Sequence, residues 1–288
     1  MRHELKMAVA ALGVLGAMTM TGCAHTSRSS SMDTGLAAVP DTFEARRKLA
    51  SELMARGDWQ PAFAYIDQLH RERPNDAGVL VLRATVYREQ NLLDEAEADL
   101  RDAVRLAPQL ASARAALGIL FDMQRKPEKA EEQLRLAAKL EPENPVYLNN
   151  LGFSLFLHGK TKEAITFYEK AARLAPATRR TRTNLGFACA AQGDWHRAAR
   201  EFALGGTPVE AKVNLGFAYE QHGDLANAYD LYVQATHLDP HSQRARTNLV
   251  HVADLLGRPA PGMPDDPAPA APALRDDGTA VTPQEVQP

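Results

Sequence analysis

Pro74, Pro108, Pro142 and Pro176 stand 34 residues apart, and Pro240 follows 64 residues later, one period and one shortened by four residues. A fixed period of this size restricts a chain to a stack of like supersecondary units, each burying its apolar face against the next. Aligned on the prolines, the sequence falls into six units, 43–76, 77–110, 111–144, 145–178, 179–208 and 209–242, the fifth being the short one. Position 20 of every unit is alanine: Ala62, Ala96, Ala130, Ala164, Ala198 and Ala228. Position 8 is always small, as Ala50, Ala84, Gly118, Gly152, Gly186 and Gly216, and position 27 is small in five units, with Leu69 in the first. Position 24 carries the bulk: Ile66, Leu100, Leu134, Tyr168, Phe202 and Tyr232. Small residues let two antiparallel helices close on each other, and the large ones fill what is left. Gly57, Gly159, Gly193 and Gly223 share position 15, where a turn between the helices needs positive φ.

With small residues at 8, 20 and 27 and proline at 32, the pattern resembles the tetratricopeptide repeat over 43–242. That resemblance implies an all-α superhelical solenoid of six helix pairs. Gln243 to Leu256 continues the first-helix pattern once more and stops at Gly257, so 243–257 is expected to be a capping helix over the last apolar face. Repeats 1 and 2 fit least well. Leu49 and Leu117 occupy position 7, where repeat 2 carries Arg83.

The ends have other compositions. Arg2 and Lys6 precede an apolar, charge-free run from Met7 to Met20, too short to span a bilayer comfortably and right for a signal peptide. Met20-Thr21-Gly22-Cys23 resembles the lipobox of bacterial lipoproteins, with Met20 where leucine is usual. The resemblance implies a signal peptide over 1–22 and acylation of Cys23, and Ala24 implies placement in the outer membrane, lipid-anchored on its periplasmic face. An ordinary signal peptide with an incidental cysteine, or an uncleaved anchor, are the other readings. Residues 23–42 read as the lipidated cysteine and a flexible tether. From Arg258 to Pro288, eight of 31 residues are proline, six are alanine and none is aromatic. A segment of that composition cannot bury enough apolar surface to fold, so 258–288 reads as a disordered tail.

The chain has 33 Lys and Arg against 36 Asp and Glu, a net charge of -3, and the tail alone accounts for it. A near-neutral repeat region lacks the footprint of a nucleic-acid binder. The nine histidines form no metal-spaced cluster, and no phosphate loop, nucleophile elbow or dinucleotide fingerprint occurs. Cys189 falls at a core position. The expectation is therefore a non-enzymatic binding protein with no cofactor, no metal and no small-molecule substrate.

One periodic polar feature remains. Position 6 holds Asn150, Asn184, Asn214 and Asn248 in repeats 4 to 6 and the cap. Asparagine is a poor choice inside a helix unless its amide is used. An amide that donates and accepts pairs with a peptide backbone of any sequence. The column resembles the asparagine ladder of O-GlcNAc transferase repeats, which implies a peptide-binding groove. The alternative is that it belongs to inter-repeat packing. Arg180 and Arg244, at position 2, are expected near that groove as carboxylate ligands or as part of a solvated helix start. Asn149-Asn150-Leu151-Gly152-Phe153, the short repeat ending Leu204-Gly205-Gly206, and the lipobox together resemble the TadD lipoproteins of the tight-adherence (Flp) pilus system. That implies a protein partner such as the secretin or another pilus or secretion component. A general periplasmic adaptor similar to NlpI, and a pilotin of a type IV pilus or type II secretion system, are the alternatives. Replacing Cys23 by serine is expected to abolish lipidation and remove the protein from the outer membrane. Membrane fractionation checks this, and wild-type levels of Cys23→Ser in the outer membrane would refute it.

Overall fold

The computed structural model describes residues 42–261. The signal segment, Cys23, nearly all of the tether and the tail beyond 261 lie outside the described residues. Thirteen α-helices and no strand occur among them: α1 (Phe43–Arg56), α2 (Trp59–Glu72), α3 (Ala77–Glu89), α4 (Leu93–Leu106), α5 (Ala111–Met123), α6 (Pro127–Leu140), α7 (Pro145–Leu157), α8 (Thr161–Leu174), α9 (Arg179–Ala191), α10 (Trp195–Gly205), α11 (Pro208–His222), α12 (Leu225–Leu238) and α13 (Gln243–Leu256). Each odd-numbered helix pairs with the even one that follows, and α13 stands as the unpaired last helix. This is the all-α repeat solenoid that the 34-residue pattern implied. The chain divides into two compact units, Met1–Glu141 with α1 to α6 and Pro142–Pro288 with α7 to α13.

The small residues act as expected. A Cβ added to Gly118 would stand 2.6 Å from Leu134 Cγ, one on Gly186 would stand 2.6 Å from the Phe202 ring, and one on Gly216 would stand 2.7 Å from the Tyr232 ring. The alanines at position 20 are fully buried. At position 15, Gly57, Gly159, Gly193 and Gly223 have φ between 77° and 88°. In repeats 2 and 3 the same turn is made by Asn91 (φ 61°) and Arg125 (φ 58°), so the left-handed turn is kept where the sequence has no glycine. The departure at position 7 of repeat 2 is also resolved. Arg83 lies where leucine would pack and makes two hydrogen bonds to Asp99 at 2.6 and 2.7 Å, both side chains being mostly buried.

Arginine at position 4 ties the loops. Arg114 Nε donates to the Pro108 carbonyl at 2.9 Å and Nη1 to Gln133 Oε1 at 3.1 Å. Arg182 repeats the arrangement with the Pro176 carbonyl at 3.2 Å and Glu201 Oε2 at 2.7 Å. The short repeat makes α10 a helix of 11 residues. Its last residue, Gly205, lies so close to α9 that a Cβ would stand 2.9 Å from Arg182 Cβ. There, Arg179 donates to the Gly205 carbonyl at 3.2 Å and pairs with both oxygens of Glu210 at 2.5 and 2.6 Å. Glu210 completes a capping box with Thr207 at the start of α11. The Thr207 backbone N–H, above all, holds the Glu210 carboxyl below its usual range. Trp195 stacks on Tyr219 at 4.0 Å, joining α10 to α11.

After α13, Gly57's counterpart Gly257 takes φ 61°, and the chain turns back onto α12. Arg258 lies over the Tyr229 ring, the Tyr229 hydroxyl donates to the Pro259 carbonyl at 2.7 Å, and Ala260 packs on the last core cluster. Packing therefore continues a few residues past 257, where the sequence placed the start of the tail. Two substitutions report on these constraints. Gly186→Ala drives a methyl into Phe202 and is expected to cost about 1–3 kcal/mol. Arg125→Gly relieves a left-handed arginine and is expected to stabilise by about 1 kcal/mol. Denaturant melts of both variants check the pair of opposite signs.

Candidate functional site

In the second unit the odd helices α7, α9 and α11 each touch the next odd helix, α13 being the last, whereas α8, α10 and α12 do not touch one another. Layers that differ in this way curve, with the closer-packed one inside. The inner face of this unit therefore belongs to the odd helices. At about 100° per residue, positions 2, 6, 9 and 13 all fall within roughly 100–160° of position 8, which faces the even partner. These positions form one stripe per helix turned away from that partner. The four stripes are Val146, Asn150, Phe153 and Leu157 on α7, Arg180, Asn184, Phe187 and Ala191 on α9, Glu210, Asn214, Phe217 and Gln221 on α11, and Arg244, Asn248, His251 and Leu255 on α13.

Val146 (59 %), Phe153 (38 %) and Leu255 (57 %) are exposed apolar side chains on this face. Phe187 meets Phe217 edge-on at 6.0 Å and Phe202 at 4.8 Å, so the ring column is continuous with the core. Arg180 and Arg244 are exposed. The acids nearby are engaged: Glu210 by Arg179 and Thr207, and Glu220 by Tyr232 and His251.

The asparagine column is not uniform. Asn184 Nδ2 donates to Asn149 Oδ1 at 3.1 Å, joining α9 to α7. Asn149 is buried, so this bond satisfies an amide that water cannot reach. Asn248 hydrogen-bonds the Tyr232 hydroxyl from the next repeat. Asn214 is buried, and Asn150 is half-buried. The four residues share one slot and one face, and two of them join neighbouring helices. A pairing partner one residue off the column, Asn149, could be found only from the three-dimensional arrangement.

Position 24 holds what the sequence reading did not single out. The Tyr232 hydroxyl, under that face, donates to Glu220 Oε2 at 2.7 Å. Burial first, and then Glu220, raise its phenol above the usual range. Tyr168 occupies the same position two repeats earlier and is fully buried, and its hydroxyl has no hydrogen-bond partner. Burial raises that phenol too, and the Arg180 guanidinium acts against the rise. Where repeat 6 has Glu220 at position 12, repeat 4 has Phe156. The difference between Tyr and Phe202 in this column was the visible signal.

The described residues hold no group of three or more His, Cys, Asp or Glu able to bind a metal, and no helix among them is long and apolar enough to cross a membrane. Cys189 is buried, and burial pushes its thiol up to about 11, which suits packing rather than nucleophilic attack.

Three segments match tetratricopeptide-repeat family models, residues 47–111, 145–178 and 209–242. No curated protein matches the chain by sequence. Among solved structures, PilF of Pseudomonas aeruginosa is 19% identical with a TM-score of 0.57, over 73% of this chain and 97% of that one. PilW, described as a widely conserved type IV pilus biogenesis factor, is 18% identical with a TM-score of 0.61, over 72% of this chain and 98% of its own. Cut9 in the Cut9–Hcn1 hetero-tetramer of the APC/C is similar at 18% identity and a TM-score of 0.59, with 74% of this chain and 43% of that one covered. At these identities the likeness is one of fold.

The two tyrosines give a paired test. Tyr232→Phe removes the hydroxyl bond to the part-buried Glu220 carboxylate and is expected to cost about 1–2 kcal/mol, whereas Tyr168→Phe removes an unsatisfied hydroxyl and is expected to be neutral or stabilising. Equal losses on thermal melting would show that Tyr168 has a partner within the fold.

Proposed function

We propose that this chain, whose fold is that of a tetratricopeptide-repeat solenoid, is a lipid-anchored scaffold on the periplasmic face of the outer membrane that holds an extended segment of a protein partner. Its partner, on this reading, is a secretin or another component of a tight-adherence (Flp) pilus assembly. One observation carries the binding part: exposed Val146 and Phe153, half-buried Asn150 and exposed Arg180 stand on adjacent stripes of one inner face. Apolar side chains there offer pockets, and amide and guanidinium groups beside them offer hydrogen bonds to a backbone or a carboxylate. That is how a helical repeat face takes an unfolded segment, whose ordering must be offset by both kinds of contact. The pilus assignment draws on the TadD-like lipobox and short repeat. A type IV pilus factor is the second reading and draws on the likeness to PilW.

Asn150 and Phe153 are the residues to change, because Asn184 and Asn248 also tie helices together. The double variant Asn150→Ala, Phe153→Ala is expected to melt like the wild type and to bind purified secretin subunit at least tenfold more weakly. Normal binding by that variant would refute the groove. Wild-type protein that neither binds the secretin nor changes its amount in the outer membrane would refute the pilus role.

A further inference from the structure

Each helix of the second unit runs back along the one before it, and the connections 175–178, 206–207 and 239–242 are short. The ends of α8, α10 and α12 therefore share one edge with the starts of α9, α11 and α13. All three even helices bring a leucine to that edge. Leu174 is the last residue of α8, Leu238 is the last of α12, and Leu204 stands one before the end of α10. Their exposures are 42 %, 53 % and 56 %. Leu174 and Leu238 occupy position 30 of their repeats. Leu204 sits at position 26 of the shortened repeat, one helical turn earlier and within about 40° of the same direction. The shortened helix thus keeps its exposed terminal leucine.

The same edge is cationic. Arg173 precedes Leu174, Arg179, Arg180 and Arg182 open α9, and Arg244 and Arg246 open α13. Glu210 engages Arg179 and Glu201 engages Arg182. Arg173, Arg180 and Arg244 are exposed and form no ion pair among the described residues. Of the acids, Asp239 is half-buried and accepts from the His241 backbone N–H at 2.9 Å, and Glu143, before α7, is exposed. The first unit differs. Its position 30 holds Glu72, Leu106 and Leu140, and Arg105, beside Leu106, is bound by Asp102.

A single exposed leucine is ordinary. Three at one edge, each at a helix end and interleaved with arginines that have no acid, combine the two contacts that hold a protein surface to anionic lipid. Apolar side chains enter the headgroup layer, and cations meet the phosphates. The spacing distinguishes this occupant from a folded protein. Because α8, α10 and α12 do not touch one another, their leucines are separate points rather than one continuous patch. A folded partner packs against a contiguous apolar centre, which such a row does not offer. A fluid headgroup layer admits each side chain singly.

We propose that this edge of the second unit docks on an anionic phospholipid surface, with Leu174, Leu204 and Leu238 entering the headgroup layer and Arg173, Arg180 and Arg244 binding lipid phosphates. The proposal rests on the reading of a lipid-anchored protein and adds a second contact to the anchor. An acyl anchor limits distance from the membrane, whereas a row of side chains along one edge also fixes orientation. Each guanidinium fork can take two phosphate oxygens. Docking through helix ends stands the unit on its edge. The inner stripe runs along the odd helices, away from that edge after their first turns, so most of it stays open to a partner.

The test uses residues 23–288 with Cys23→Ser, which keeps all thirteen described helices and takes no acyl chain. Vesicle sedimentation is expected to show binding to phosphatidylcholine containing phosphatidylglycerol, and little to phosphatidylcholine alone or at high salt. Leu174→Ser, Leu204→Ser and Leu238→Ser together should weaken binding tenfold or more. Arg173→Gln, Arg180→Gln and Arg244→Gln together should weaken it about a hundredfold. Circular dichroism and melting should stay unchanged in both. Met123→Ser, at an exposed apolar side chain of the first unit, should bind like its parent. Equal binding to both kinds of vesicle, indifference to the leucine changes, or an equal loss with Met123→Ser would overturn the proposal. So would the absence of vesicle binding by the parent chain, which would leave an acidic protein as the occupant of this edge. The leucines and Arg173 lie on even helices, off the inner stripe, so secretin binding that depends on Asn150 and Phe153 would still stand in that event. Lipid binding that depends on the leucines supports the edge even where the secretin does not bind.

Discussion

A glycine on one helix against a large side chain on its partner sets the distance at which the helix pairs close, and the rest of the second unit depends on it. Gly186 under Phe202 and Gly216 under Tyr232 leave no room for a methyl group. Close pairing seats each odd helix against its even partner at position 8, and this fixes which residues point away from it. Positions 2, 6, 9 and 13 become the inner stripe because position 8 has become the contact. The stripe proposed as a binding face is thus a consequence of packing chemistry on the opposite side of the same helices. Substitutions at the glycines therefore disturb the face without touching it.

The repeat architecture was legible in the sequence because it is written six times. The prolines at 34-residue spacing, the alanine at position 20 and the glycine at position 15 each reflect a steric demand that recurs in every unit. Features that occur once were not legible. The sequence showed Arg83 as a defect in repeat 2, while its partner Asp99 lies on the following helix and turns the defect into a buried, doubly bonded pair. Arg125 took a left-handed turn that its side chain does not advertise, whereas Asn91 is the residue type that accepts one most readily after glycine.

The site was half legible for the same reason. Periodicity identified the asparagine slot and its face. It did not separate an amide available to a partner from one already used. That depends on neighbours contributed by other helices: Asn149 for Asn184, and Tyr232 for Asn248. The tyrosines at position 24 read as core fillers, which they are. Their hydroxyls acquire meaning only once position 12 of the paired helix is known, glutamate in one repeat and phenylalanine in another.

The short fifth repeat links these points. Ending α10 at Gly205 brings the start of α11 against the start of α9, and Arg179 and Glu210 close the join. Three arginines in a first turn oppose the helix dipole, each by about 0.3–1 kcal/mol at an exposed site. Two of them are offset, Arg179 by Glu210 across the shortened join and Arg182 by Glu201 on α10. Arg180 has neither compensation, and a helix cap that would soften its cost is missing at Thr178. Arg180 and the uncapped helix start thus remain an unfavourable local charge arrangement. The shortened repeat thus concentrates the unit's unmet electrostatic demand at the junction of repeats 4 and 5, beside the exposed Phe153 ring.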